Sequence, residues 1–256
     1  MLMLSVAALG ATKVLVTVVD PKTGIPVTDL KSSDFIVTDG GSPRAVEAVE
    51  YAGSPVDVML LVDSSLMGHA VQSAAADLIQ QLREKEQMAL VSYHSSADLI
   101  QDFTSSKQSL LRALSGIKYG NEPRALDAIY AAADGGFGHA VYRKVLLVLT
   151  AGFEGYSRMN ERNVIKLARK SGIQIFVLYL SGHERSLFDT LARNTGGASL
   201  KMQDLAKTTK TPAPRVFELL RSFYTMVLSG NLAPTERFKI ETNRPQKLFV
   251  SALVLD

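Results

Sequence analysis

Cysteine is absent from the chain, which removes disulfides, thiolate metal sites and cysteine nucleophiles from consideration. The redox compartment stays open, because exported bacterial domains often lack cysteine as well. Tryptophan is also absent. No apolar run reaches the roughly 20 residues that a membrane-spanning helix needs. Neither is there a run of five Lys or Arg: the formal net charge is only +3, and Lys207, Lys210 and Arg215 are scattered among Thr and Pro. That pattern fits a solvated linker and argues against a nucleic-acid footprint. A Gly-x-Ser-x-Gly nucleophile elbow is missing, so Asp63, Ser65 and His69 or His94 do not make a hydrolase set. Gly135-Gly136-Phe137-Gly138 follows a helix and precedes a strand. This is the wrong context for a dinucleotide fingerprint, and it reads as a helix stop. His139 and His183 fall in loops without a ligand-spaced partner.

The 46% hydrophobic content is ample for a core. Lys13 to Asp20 reads as a strand closing on the turn Asp20-Pro21-Lys22-Thr23-Gly24. Phe35 to Asp39 and Ala45 to Tyr51 flank Asp39-Gly40-Gly41-Ser42-Pro43 and are expected to form a hairpin. From residue 57 strands alternate with helices. Val58–Val62 precedes a helix with Val71, Ala75, Leu78 and Leu82 on one face. Met88–Tyr93 is followed by an antiparallel neighbour, Ala97–Phe103. Two helices follow, one through Leu110, Leu114 and Ile117, the other through Leu126 and Ile129. Val145–Thr150 and Ile173–Leu180 are continuous apolar strands of the kind buried on both faces. Thr208 to Pro214 reads as a linker and Val216 to Arg221 as a short helix. Ser222–Leu228, Arg237–Thr242 and Leu248–Leu255 return to β. Phe217, Phe223 and Tyr224 are spaced for packing. The first eleven residues end in small side chains and resemble the tail of a signal peptide, although no Lys or Arg precedes them. A plain first strand is the other reading, and export is favoured over the cytosol.

The most informative segment is Val56-Asp-Val-Met-Leu-Leu-Val-Asp63-Ser64-Ser65-Leu66-Met67. An apolar strand ends on a carboxylate, with hydroxyls on the next turn. A parallel sheet presents oxygen ligands to a hard cation in this way. With Ala125-Leu126-Asp127-Ala128-Ile129 and Val145 to Gly152, it resembles a von Willebrand factor A (VWA) domain over residues 56–205. Pro26 to Phe35, Gln101 to Thr104 and Leu191 to Gly197 extend the resemblance to the bacterial VWA-related subfamily. The implied fold is α/β: a doubly wound, mostly parallel, Rossmann-like sheet inserted into a small β-sandwich formed by both termini, residues 13–55 and 215–256.

The resemblance also implies a metal-ion-dependent adhesion site with five ligand positions. Asp63 and Ser65 match it. Met67 stands at the second Ser, Pro123 at the Thr and Ala151 at the third-loop Asp. Two of the five positions keep their ligand, so Mg²⁺ is expected to bind weakly or not at all. Glu122 and Glu154 are nearby acids able to compensate. The implied function is non-enzymatic protein–protein interaction. Its surface is the carboxyl-end loops: Asp63, Ser64, Ser65, Leu66 and Met67, then Glu122 and Pro123, then Ala151, Phe153 and Glu154. The alternative is a structural or assembly module of the cell envelope whose sheet face is inert.

Overall fold

The computed structural model describes residues 11–230 and 237–255. The signal-peptide-like stretch before residue 11 lies outside the described residues. In chain order the elements are β1 (Thr12–Val19), β2 (Phe35–Asp39), β3 (Ser42–Pro43), β4 (Val46–Gly53), β5 (Val56–Asp63), α1 (Gln72–Ile79), β6 (Gln87–Tyr93), β7 (Ala97–Thr104), α2 (Lys107–Ser115) and α3 (Ala125–Ala133). There follow β8 (Arg143–Thr150), α4 (Glu161–Lys170), β9 (Ile173–Tyr179), α5 (Arg185–Asn194), β10 (Ser199–Lys201), α6 (Met202–Thr208), α7 (Pro212–Arg221), β11 (Ser222–Leu228), β12 (Lys239–Thr242) and β13 (Phe249–Leu255). Among the described residues no helix is long and apolar enough to cross a membrane.

The central sheet has the order β10-β9-β8-β5-β6-β7, parallel except for the antiparallel edge strand β7. Strands of a parallel sheet are covered on both faces, which explains their unbroken apolar runs. In β5, Val58, Leu60 and Val62 pack with α1, α2 and α7. The alternate residues Met59 and Leu61 pack with α3, α4 and α5 on the other face. The chain leaves β5 toward β6 on one side and later returns to β8 on the other. The sheet therefore switches direction between β5 and β8, and their carboxyl ends flank the crevice where open α/β sheets bind ligands.

The two ends of the chain build a sandwich. One sheet runs β13-β1-β11-β4 and the other β12-β2-β3. Val14, Val16 and Val18 meet Phe35, Val37, Tyr224 and Met226 between them. Tyr224 is buried as expected; its hydroxyl donates to the Val27 carbonyl at 2.9 Å and accepts from Leu30 N–H at 3.0 Å. Two sequence expectations change here. The Gly40-Gly41 turn does make a hairpin, but with the two-residue β3, while β4 crosses to pair with β11. Pro43 has no N–H to extend the β2 ladder, and Val46 and Val49 of β4 gain apolar neighbours beside β11. The expected linker at Thr208–Pro214 is mostly helix, because Pro212 starts α7 at a position where a missing N–H costs nothing. Ala213, Val216 and Phe217 of α7 then join the core of the α/β layer.

The sandwich sits on the α/β layer through close backbone approach. The Thr17 hydroxyl donates to the Gly196 carbonyl at 2.7 Å, and that of Ser251 to Gly197. Gly196 adopts φ 76°, and a Cβ there would lie 2.8 Å from Leu253 Cβ. Only glycine serves both needs. At the crossing point between the two layers, Ser54 N–H donates to the Arg221 carbonyl at 3.1 Å. The Arg221 guanidinium forks onto Glu86 at 2.6 and 2.7 Å and onto the Gln81 carbonyl at 2.8 Å. Burial pushes the Glu86 carboxyl up, but Arg221 and the Arg83 and Val56 amides together hold it below 4.5.

Breaking this buried pair leaves one charge uncompensated, so Arg221→Ala is expected to cost about 3–5 kcal/mol at pH 7. The stability that Glu86 contributes is present above its unfolded value. It is lost as pH falls through the lower folded value. Urea unfolding of wild type and variant at pH 7 and pH 3 should show the gap narrowing in acid; an unchanged gap would assign the loss to the Gln81 bond and to packing against Phe217.

Candidate functional site

Three loops converge at the carboxyl ends of β5 and β8: residues 63–68, 118–124 and 151–157. Asp63 ends β5 and is fully buried. Its Oδ1 accepts from Ser65 N–H at 2.9 Å, and its Oδ2 from Thr150 Oγ1 at 3.2 Å and Ala151 N–H at 3.0 Å. A buried carboxylate needs such donors, and here the protein supplies these three. The Thr150 hydroxyl in turn accepts from Gly152 N–H at 3.0 Å. Asp63 and burial together push the neighbouring hydroxyl groups up: burial first and then Asp63 at Tyr93, and the same two causes at Tyr119.

Backbone hydrogen bonds join the loops. Ser64 N–H donates to the Tyr93 carbonyl at 2.7 Å, and Gly120 N–H to the Ser64 carbonyl at 2.8 Å. Arg124 N–H donates to the His94 carbonyl at 2.8 Å, and Gly155 N–H to the Pro123 carbonyl at 2.7 Å. The Tyr119 ring stacks on His69 with centroids 3.6 Å apart, and Phe153 stacks on His183 at 4.9 Å.

The residues singled out in the sequence divide by depth. Asp63, Ser64, Ser65 and Ala151 lie beneath the surface, and the Ser64 and Ser65 hydroxyls have no partner among the described residues. Leu66 and Met67 stand on the crest, 76% and 59% exposed. Pro123 and Phe153 are half-buried, and Glu122 is exposed. Glu154 reaches the start of α3, where its Oε2 accepts from Ala125 N–H at 2.8 Å and Leu126 N–H at 3.2 Å. Among the described residues no three His, Cys, Asp or Glu side chains come together to hold a metal.

Sequence reasoning missed the clasp around the start of α3. Arg124 offers no side-chain cap there. Glu154 caps the first two helical N–H groups, and the Ser157 hydroxyl takes that of Asp127 at 3.3 Å. Asp127 reciprocates: its Oδ1 accepts from Arg158 and Met159 N–H, both at 2.8 Å. The available signal was an acid in the first turn of a helix whose N-cap residue cannot cap. Tyr156, between these residues in the third loop, is 86% exposed.

Burial raises the Glu154 carboxyl, the amides of Leu126 and Ala125 and the Ser157 hydroxyl pull against it, and Asp127 adds to the rise. A raised carboxyl favours the folded state when protonated, and that advantage is lost as pH rises through the folded value. Glu154→Ala should cost about 1–3 kcal/mol by orphaning two N–H groups. Glu154→Gln keeps an acceptor without the charge and should stay near wild type at pH 7, with a flatter stability profile above pH 4.5. Thermal melts between pH 4 and 8 check this; equal losses in both variants would refute the capping role.

The von Willebrand factor type A domain model matches residues 57–213, more than half of the chain. Solved structures of similar fold include the VWA domain of SpRpn10, with TM-score 0.51 and 13% identity, covering 63% of this chain and 98% of that one. Another is BatB from Bacteroides thetaiotaomicron, with TM-score 0.52 and 14% identity, covering 66% and 99%. A third is proximal thread matrix protein 1 of the mussel byssus with a zinc-occupied MIDAS motif; TM-score is 0.56, identity 15%, and the match covers 75% of this chain and 50% of that one. No curated protein matches. With the six-stranded sheet and the loop crevice described above, the chain belongs to the von Willebrand factor type A domain family.

Proposed function

We propose that the chain is a non-enzymatic protein-interaction module of the bacterial VWA-related subfamily. In this reading it engages its partner through the crest of the three loops, without a bound cation. The observation that carries this reading is the inversion of depth across the crevice. The polar residues of the adhesion motif, Asp63 and Ser65, are buried, while Leu66, Met67 and Tyr156 are offered to solvent. Exposed apolar side chains that cluster on loops fixed by a rigid sheet suit a partner surface.

The donor set does not fit a hard dication. Asp63 already accepts three protein hydrogen bonds, and Glu154 gives one oxygen to α3. Met67 provides only a soft thioether, and Pro123 and Ala151 have no donor side chain. Mg²⁺ asks for about six oxygens in octahedral array. The degenerate adhesion site is therefore read as structural: protein donors hold the loops.

Wild-type protein should give no heat with Mg²⁺ or Mn²⁺ at micromolar concentrations in calorimetry. The triple variant Met67→Ser, Pro123→Thr and Ala151→Asp restores the family's set around Asp63 and Ser65 and should create a measurable site. Micromolar binding by the wild type would overturn the reading of a lost site.

The interaction itself is tested by capture of native partners on immobilised wild type and on Leu66→Ser/Met67→Ser, with and without EDTA. The partner should be retained in EDTA and lost with the double variant, whose exposed positions leave the fold alone. Asp63→Ala is not a clean probe, because it removes a buried acceptor of three bonds. Full retention by the double variant would favour the alternative, an assembly module of the cell envelope with an inert loop face.

A further inference from the structure

A second surface lies at the outer edge of β13. Among the described residues this strand ends its sheet and pairs only with β1. The register, Val18 opposite Val250 and Val16 opposite Ala252, is regular throughout. Antiparallel pairs alternate between residues whose N–H and C=O face each other and residues whose groups face away. Two hydrogen bonds fix the phase. The Val18 carbonyl accepts from Val27 N–H at 2.9 Å, on the side of β1 away from β13. The Val250 carbonyl accepts from the Arg193 guanidinium at 3.1 Å. Val18 and Val250 therefore form a pair facing away from one another. By the period of two, the N–H and C=O groups of Ala252 and Val254 also point outward. An edge of this kind is a template for another strand unless it is blocked.

The edge opens into a cleft of about 670 Å³. Ala252, Val254 and Phe238 give it an apolar wall, and α4 forms the opposite wall. On α4, Arg162, Lys166 and Lys170 are exposed and line the cleft, against a single acid, Glu161. Arg169, also in the lining, is tied to Asn194. The three exposed cations are four residues apart, a row that climbs about 6 Å per step on a helix. One face of a strand repeats every two residues, about 6.7 Å. A strand lying along α4 thus meets a cation with nearly every second side chain.

We infer that this cleft binds an extended acidic segment of a partner protein, which adds as a strand to β13. Its backbone pairs with Ala252 and Val254. Its carboxylates face Arg162, Lys166 and Lys170, and its alternate apolar side chains face Phe238. Backbone pairing supplies affinity and the two walls supply selectivity, as in other strand-addition sites. A second copy of this chain is the weaker occupant, because pairing of two β13 edges brings two rows of α4 cations together.

The test uses the whole chain with two labelled peptides, acetyl-(Val-Glu)4-amide and acetyl-(Val-Lys)4-amide, read by fluorescence anisotropy. The acidic peptide should bind, lose affinity with added salt, and slow hydrogen exchange at the Ala252 and Val254 amides. Arg162→Glu/Lys166→Glu should weaken it at least tenfold. Ala252→Pro should do the same by deleting an outward N–H, a change that edge strands tolerate, with the thermal melt unchanged. Comparable affinity for the lysine peptide overturns the proposal. So does binding that leaves the Ala252 and Val254 amides unprotected, no binding of the acidic peptide, or a wild-type dimer that Ala252→Pro dissolves. The Leu66→Ser/Met67→Ser variant should bind the acidic peptide normally, which separates this surface from the loop crest.

Discussion

The buried carboxylate of Asp63 is the constraint around which the upper face of the protein is built. A polar group buried in the fold must find its hydrogen-bond partners there, or its burial is costly. Parallel pairing of β5 with β8 provides them. Val62, opposite Leu149, is the last β5 residue paired with β8, so Thr150 and Ala151 arrive beside Asp63 as β8 ends. The turn after β5 adds Ser65 N–H from the same chain segment. Gly68 completes the turn, since a Cβ there would collide with the Asp63 carbonyl. One acid thus fixes the path of the first loop and ties it to the third.

The lower face depends on a different charge, the Arg221 guanidinium. It lies where the chain enters β5 and where it leaves α7, and it connects both to Glu86 ahead of β6. Arg143 stands close by in the same layer: it bonds Gln174 and the Leu220 carbonyl and lies 4.6 Å over the Phe223 ring. Burial lowers its guanidinium to about 10. The Ser54 bond to the Arg221 carbonyl, the Arg143 contact with the Phe223 ring and the Gly196-Gly197 approach to β1 and β13 join the α/β layer to the sandwich by directional contacts, and an apolar contact alone would not define the angle between the layers.

What the sequence revealed follows from which forces are local. The unbroken apolar run of β5 and the 3.6-residue periods of the helices each write one layer directly into residue order, so the α/β sheet and the β character of both ends were legible. The destination of β4 was not. The Gly40-Gly41 turn predicts a hairpin, but the choice between β2 and β11 as partner is made by residues more than 170 positions away, such as Tyr51 opposite Tyr224. The same holds for the site. Asp63 and its hydroxyl neighbours were visible as a motif. The role of Glu154 was not, because its partners are N–H groups of a helix about 28 residues earlier and carry no side-chain signature.

The loop crest is held before any partner arrives. Four backbone bonds, Ser64 to Tyr93, Gly120 to Ser64, Arg124 to His94 and Gly155 to Pro123, cross between strands and loops, and the Glu154–Asp127 clasp locks the third loop onto α3. A loop set organised by a metal gains its order when the ion binds, so the ion can gate recognition. In the proposed reading the order comes from the chain itself, and loops already ordered lose little entropy on association, which lowers the cost of binding through a small apolar surface. The exposed residues are suited to that role: Leu66 gives a compact apolar contact, and Met67, with a flexible thioether, adapts to the shape it meets. In the proposed reading Met67, at the position where the family resemblance implies a second ligating serine, is the most adaptable contact residue of the crest.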